Sequence, residues 1–260
     1  MPGDQSTMKL TFLGTGTSMG VPVAGGFGGK EFSKEDSKDE RYRASAWVQT
    51  EESSILVDVG PEFRLQTLRA GLSHIDLVLV THEHMDHIAG LDDLRPFNYV
   101  QEQALPLYTT ASCIKAIRSR FDYMFGPDRY PGAVSVDMKE LTETITFRDC
   151  RITPLPVRHG KLDILGFRIN DLSYLTDVKS IPDKTKERIR GSKVMVLSGL
   201  RWKPPHPTHL TIPEAIEVAR ELEVPQTYLI HMNSGVVHEE TSKKLPEGID
   251  LSYDGLTIEI

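Results

Sequence analysis

The chain has 260 residues, 39% hydrophobic and 26% charged, a balance that suits a globular protein with a full core. Its formal net charge of -7 counts against a sequence-independent nucleic-acid binder, which needs a basic face. Only two cysteines occur, Cys113 and Cys150, far apart, so no disulfide framework is expected and a reducing cytoplasm is.

Met1 to Lys9 is polar and lacks the apolar core of a signal peptide, and no segment has the apolar length that crosses a bilayer. A tail over 1–8 followed by one domain over 9–260 is expected. Leu10 to Thr17 reads as a strand running into a glycine-bearing turn. Gly25 to Arg43 is glycine-rich, then densely and evenly charged, which predicts a surface loop. Ala46–Thr50 and Ser54–Gly60 read as strands, and a helix is expected around Glu62–Ala70.

The apolar run Ile75 to Val80 then leads into Thr81-His82-Glu83-His84-Met85-Asp86-His87. This is the pattern of a strand delivering metal ligands at its carboxyl end. Side chains two apart on an extended segment face the same way, so His82 and His84 share a side. A turn or new helix can then swing Asp86 and His87 towards a second ion.

Further along, Pro106–Thr110 is a short strand, Ala111–Phe125 has helical spacing, and Val134–Arg148 is extended. Arg151–Val157 leads to His159. Phe167–Ile169 and Leu172–Asp177 form a hairpin around Asn170-Asp171, and Val194–Ser198 is a buried strand. Thr211 with Glu214 predicts a capping box opening a helix. Gln226 to His231 is a strand ending on histidine, and Leu256–Ile260 is the last strand. Interleaved strands and helices make the class α/β.

A tight site needs about four ligands per ion, so the first motif is insufficient for two. The positions that stand out are His159, Asp177 and His231, each at the end of an apolar strand. The set resembles the metallo-β-lactamase superfamily, whose His-x-His-x-Asp-His hallmark is His82, His84, Asp86 and His87 here. The resemblance implies a four-layer αββα sandwich with its site at one edge of the paired sheets. It implies one ion on His82, His84 and His159, a second on Asp86, His87 and His231, and Asp177 bridging both with a solvent-derived hydroxide.

Leu13 to Pro22, His87 to Arg95 and His206-Pro207-Thr208-His209-Leu210 together resemble the phosphoribosyl 1,2-cyclic phosphodiesterase group, cousins of the tRNA 3′-processing nucleases. Members of that group often hold a structural zinc on cysteines after the Gly-Val-Pro. Ala24 to Glu31 contains no cysteine, so that zinc is not expected.

Two divalent ions, two carboxylates and one hydroxide leave a residual positive charge, which suits an anionic phosphodiester. The leaving alkoxide needs a proton or a cationic partner; the resemblance implies His209 there, on a loop stiffened by Pro204, Pro205 and Pro207, with neighbouring His206 as the alternative. Asp86 belongs to the catalytic set as well as to the ligands. The ions expected are zinc or manganese. The reading is therefore a metal-dependent hydrolase for a small cyclic or nucleotide-like phosphodiester. Membrane association and stable nucleic-acid binding are not expected, and a homodimer is admitted.

The alternatives are a tRNA-processing nuclease, a thioester or lactone hydrolase, and a catalytically silent binding protein of the same fold. Asp58, Arg64 and Arg95 are open between ligand orientation, phosphate binding and ordinary ion pairs. Asp92 and Asp93 read as supporting or surface groups, and His74 and His238 have no role.

Overall fold

The computed structural model describes residues 8–26, 38–126 and 129–260. The expected tail up to residue 7 and the middle of the charged loop, 27–37, lie outside the described residues.

Alternation along the strands sets the layers. In β3 (Ser54–Val57), Ile55 and Val57 join one apolar cluster while Leu56 between them joins another. Leu77 and Leu79 of β4 (Leu77–Leu79) face inward with them, and Val78 faces outward. Strands buried on both faces in this way need a second sheet on one side and helices on the other.

The first sheet holds β1 (Lys9–Gly14), β2 (Ser45–Gln49), β3, β4, β5 (Leu105–Thr109) and β6 (Val136–Glu140). The second holds β7 (Ile145–Phe147), β8 (Cys150–His159), β9 (Leu162–Ile169), β10 (Leu172–Leu175), β11 (Val194–Ser198), β12 (Gln226–Ile230) and β13 (Ile249–Leu251). The last strand, β14 (Thr257–Glu259), returns to the first sheet beside β1. Phe12 and Val57 meet Phe167, Tyr174 and Ile230 between the sheets.

Helices close both outer faces. α1 (Phe63–Ala70), α2 (Met85–Ile88), α3 (Arg95–Gln101) and α4 (Ala111–Arg120) cover the first sheet. α5 (Asp183–Ile189) and α6 (Ile212–Leu222) cover the second, and α7 (His238–Ser242) packs by β13. This is the metallo-β-lactamase sandwich. No helix among the described residues is long and apolar enough to cross a membrane.

The parallel parts of the sheets position the site. β3, β4, β5 and β6 run parallel, as do β10, β11, β12 and β13. Parallel neighbours end at the same edge, where α/β sheets place their ligands. There the two sheets are tied by backbone bonds, Leu165 N–H to the Thr81 carbonyl at 3.0 Å and Met232 N–H to the Thr15 carbonyl at 3.0 Å.

Local readings mostly translate directly. The capping box is present, with Glu214 Oε2 accepting from Thr211 N–H at 2.7 Å. Asn170 takes the left-handed conformation (φ 49°) that its turn needs. The helix expected to reach Phe125 stops at Arg120, because Phe121 leaves helical geometry and Asp122–Met124 forms a separate 3-10 turn. The charged loop is not wholly a surface feature. Arg41 is 2% exposed, because its backbone pairs in both directions with Val21 and draws it inward against Asp39.

Candidate metal centre

The chain leaves β4 at Val80 and places His82 in a fully buried position. His84 is still extended (φ −66°, ψ 148°) and caps α2, whose single turn swings Asp86 and His87 inward. His82 Nε2 and His84 Nδ1 lie 2.9 Å apart, as the two-residue spacing predicts. His159, at the end of β8, completes a group whose ligand atoms lie within 4.8 Å of one another. Its Nδ1–H donates to the Thr208 carbonyl at 2.9 Å; since a carbonyl only accepts, the Nε2 lone pair is left free for the cluster.

Asp86, His87 and His231 form a second such group. Asp177 joins the two. Its Oδ2 is 3.1 Å from His87 Nε2, its Oδ1 is 3.2 Å from His231 Nε2, and it groups with His82 as well. The structure thus brings all seven sequence-selected positions to one edge.

Sharp turns at the strand ends make this convergence. Asp58, Asp177 and His231 all have left-handed backbones, at φ 61°, 58° and 61°. Aspartate and histidine tolerate that region better than most side chains, yet each such residue costs roughly 1–3 kcal/mol. Packing of the two sheets holds them there.

Two glycines seat the motif. A β-carbon at Gly60 would lie 2.5 Å from the Asp86 carbonyl oxygen, and one at Gly90 would lie 2.2 Å from that of Gly60. Val59 N–H bonds the His87 carbonyl and Gly90 N–H bonds that of Val59, at 2.8 and 2.9 Å. Gly60→Ala is expected to push α2 outward, costing about 1–3 kcal/mol of stability and weakening metal binding. Denaturant curves and metal titration check this, and wild-type values in both would refute the close-approach argument.

Asp58 now has a place. Its buried Oδ2 accepts from His87 Nδ1–H at 2.7 Å, and its Oδ1 accepts from Thr81 N–H at 2.8 Å. The bond fixes the His87 tautomer and aims Nε2 at Asp86 and Asp177. Burial pushes the Asp58 carboxyl up, against the pull of His87 and Thr81. Burial alone would also lower His87, but Asp58, Asp177 and Asp86 together hold it well above the usual histidine range. Burial works to raise Asp177 too, and His231 and His87 outweigh it, keeping the group an anion.

The donor set fits divalent cations. His87 Nε2 and both ring nitrogens of His231 are buried without a hydrogen-bond partner. The two Nε2 atoms lie 3.1 and 3.2 Å from Asp177 oxygens, as expected of atoms arranged around shared cations. Mixed imidazole and carboxylate donors suit zinc, manganese or iron.

His209 stands over this cluster, its Nδ1 3.5 Å from Asp177 Oδ1 and its ring stacked 4.8 Å from that of His231. Burial, reinforced by His231, pushes its pKa down to about 3, so at neutral pH it is an uncharged imidazole, not a standing cation. His206 lies behind it, ring centroids 5.0 Å apart, with Nδ1 accepting from Thr208 N–H at 3.3 Å.

The remaining positions separate. Arg64 is exposed on α1 and Arg95 pairs with Asp92. His74 pairs with Asp76 at 2.8 Å, and His238 N–H bonds Asp39. Sequence reading did not assign Asp58, Thr81, Gly60 or Gly90. Only Asp58 carried a usable signal, an acid ending an apolar strand as Asp177 does.

Residues 53–232 match the beta-lactamase superfamily domain. The chain belongs to that superfamily. A crystal structure of a new diphosphatase from the PhnP family superposes with TM-score 0.88 and 38% identity, covering 98% of this chain and 97% of that one. An octanoyltransferase of Porphyromonas gingivalis is 37% identical over 253 residues, 96% of this superfamily member. The chain spans only 51% of that relative's length. Zinc-bound PqqB from Methylobacterium extorquens shares the fold at TM-score 0.76 and 20% identity, over 97% of this chain and all of that one.

Proposed function

We propose that this superfamily member is a cytoplasmic phosphodiesterase that works with two divalent ions, zinc or manganese, on a small cyclic or nucleotide-like phosphodiester. The observation that carries the reading is Asp177, which groups with His82 of one ligand set and lies 3.1 and 3.2 Å from His87 and His231 of the other. His82, His84 and His159 would hold one ion, Asp86, His87 and His231 the other, with Asp177 shared. Such ions, when bound, polarise a phosphoryl oxygen and lower the pKa of water towards neutrality.

The chain's own groups do the rest. Asp58 and the Thr208 carbonyl fix the outer nitrogens of His87 and His159, so the ligands are preorganised. Neutral His209 can donate an N–H to a phosphoryl or leaving oxygen, where negative charge grows in the transition state. The likeness to a diphosphatase at 38% identity supports chemistry at phosphorus. The net charge of -7 weighs against the tRNA-nuclease alternative.

A panel of bis(p-nitrophenyl) phosphate, 2′,3′-cyclic AMP, phosphoribosyl 1,2-cyclic phosphate, ADP-ribose, a thioester, a lactone and a precursor tRNA tests the assignment with either metal. Turnover of phosphodiesters is expected, and turnover of thioesters alone would overturn the reading. His209→Ala should lower kcat by about 10²–10³-fold with metal content unchanged. Loss of metal in that variant would instead make His209 a ligand.

A further inference from the structure

Beside the motif lies a shelf that the metal chemistry does not use. Arg120, at the end of α4, donates from its guanidinium to the carbonyl of Glu83, the residue between His82 and His84. It is exposed, and among the described residues no carboxylate forms an ion pair with it. A guanidinium therefore sits directly on the backbone of the ligand loop.

Three residues later, Tyr123 is 43% exposed, and so is Tyr130. Both are tied to one ion pair, Asp92 with Arg95, in the segment that follows His87. The Tyr123 phenol faces the Asp92 carboxylate, and Arg95 lies over the Tyr130 ring, 5.8 Å from its centroid. The turn bearing Tyr130 is fixed: Tyr99 Oη donates to the Gly132 carbonyl at 3.2 Å, and Ala133 N–H bonds the Tyr130 carbonyl at 3.1 Å. Asn98 bonds both backbone groups of Ser135, each at 2.9 Å. Two exposed aromatic rings, one on a hydrogen-bonded turn, together with the Arg120 guanidinium match a ligand with a flat ring and an anionic group.

We propose that Tyr123, Tyr130 and Arg120 form a subsite beside the metal centre for a nucleotide-type substrate, the tyrosines receiving its aromatic base and Arg120 its second phosphate. The assignment rests on the phosphodiesterase reading and names its substrate class. A base stacks without regard to sequence, and the guanidinium offers paired donors to phosphate oxygens. Hydrolysis of the phosphorus–oxygen bond needs only water, whose oxygen goes to phosphorus and whose proton goes to the leaving group.

Two measurements decide it. The first compares kcat/KM for ADP-ribose with that for phosphoribosyl 1,2-cyclic phosphate, which has no base. In the Tyr123→Ala/Tyr130→Ala double variant this ratio should fall roughly 5- to 100-fold, mainly through KM, and the paired Tyr→Phe changes should restore it. Arg120→Gln should weaken ADP-ribose binding and flatten its salt dependence. A ratio within twofold of wild type in the double variant would overturn the subsite and leave the phosphodiesterase reading standing. The second measurement is calorimetric ADP binding, which requires no turnover. If no phosphodiester is cleaved, the functional reading fails, while tighter ADP binding to wild type than to the double variant still supports the subsite. Equal binding rejects it.

Discussion

Asp177→Ala is expected to lose bound metal and to lower turnover by about 10²–10³-fold or more. Asp177 is 2% exposed, and Thr176 Oγ1 donates to its Oδ2 at 2.9 Å. His231 and His87 keep it ionised despite burial. Removing it subtracts the carboxylate that lies 3.1 and 3.2 Å from His87 and His231 and also groups with His82, leaving Asp86 as the remaining acid of the cluster. Alanine also fits the left-handed backbone at φ 58° poorly. Asp177→Asn separates these effects, since asparagine tolerates that conformation and keeps the shape without the charge. Both variants should show reduced metal by elemental analysis after gel filtration. Full metal and full activity in Asp177→Asn would end the case for a shared carboxylate.

The second large effect is expected at Asp58, which lies outside the seven-residue cluster. Asp58→Ala strips the acceptor from His87 Nδ1–H and from Thr81 N–H, both buried. Leaving such donors unpaired costs about 1–3 kcal/mol, and losing the group that orients a metal-binding histidine weakens affinity roughly 10- to 100-fold. Zinc titration against a competing chelator and thermal unfolding measure the two separately. An unchanged zinc affinity would show that His87 is held by packing alone and that Asp58 is only a structural ion-pair partner. Asp58→Asn should retain part of the stability, because its carbonyl oxygen still accepts from one donor.

The legible part of this protein is the part encoded by local periodicity. Ile75 to Val80 is an apolar run ended by a histidine pair, and the two-residue pleat alone puts His82 and His84 on one side, now 2.9 Å apart. The α6 capping box and the Asn170 turn are likewise set within a few residues. The short helices α5 and α7 and the strand β13 were not legible, because each has only three to seven residues and is held mainly by neighbours. Periodicity needs about 11 residues or more to be read with any certainty.

For the site, the residue types and their positions at strand ends were set by the sequence itself: seven ligand-type side chains, each following or closing an apolar run. Their meeting was decided by tertiary structure. His82 and His231 are 149 positions apart and come together because parallel strands in both sheets finish at one edge, which a linear pattern cannot express. The same holds for the partners that aim the ligands. Asp58 reaches His87 across the β3–β4 pair, and Thr208 reaches His159 from another loop. Hydrogen bonds between distant segments depend on register and on close approach at Gly60 and Gly90, and these exist only once the sheets have packed.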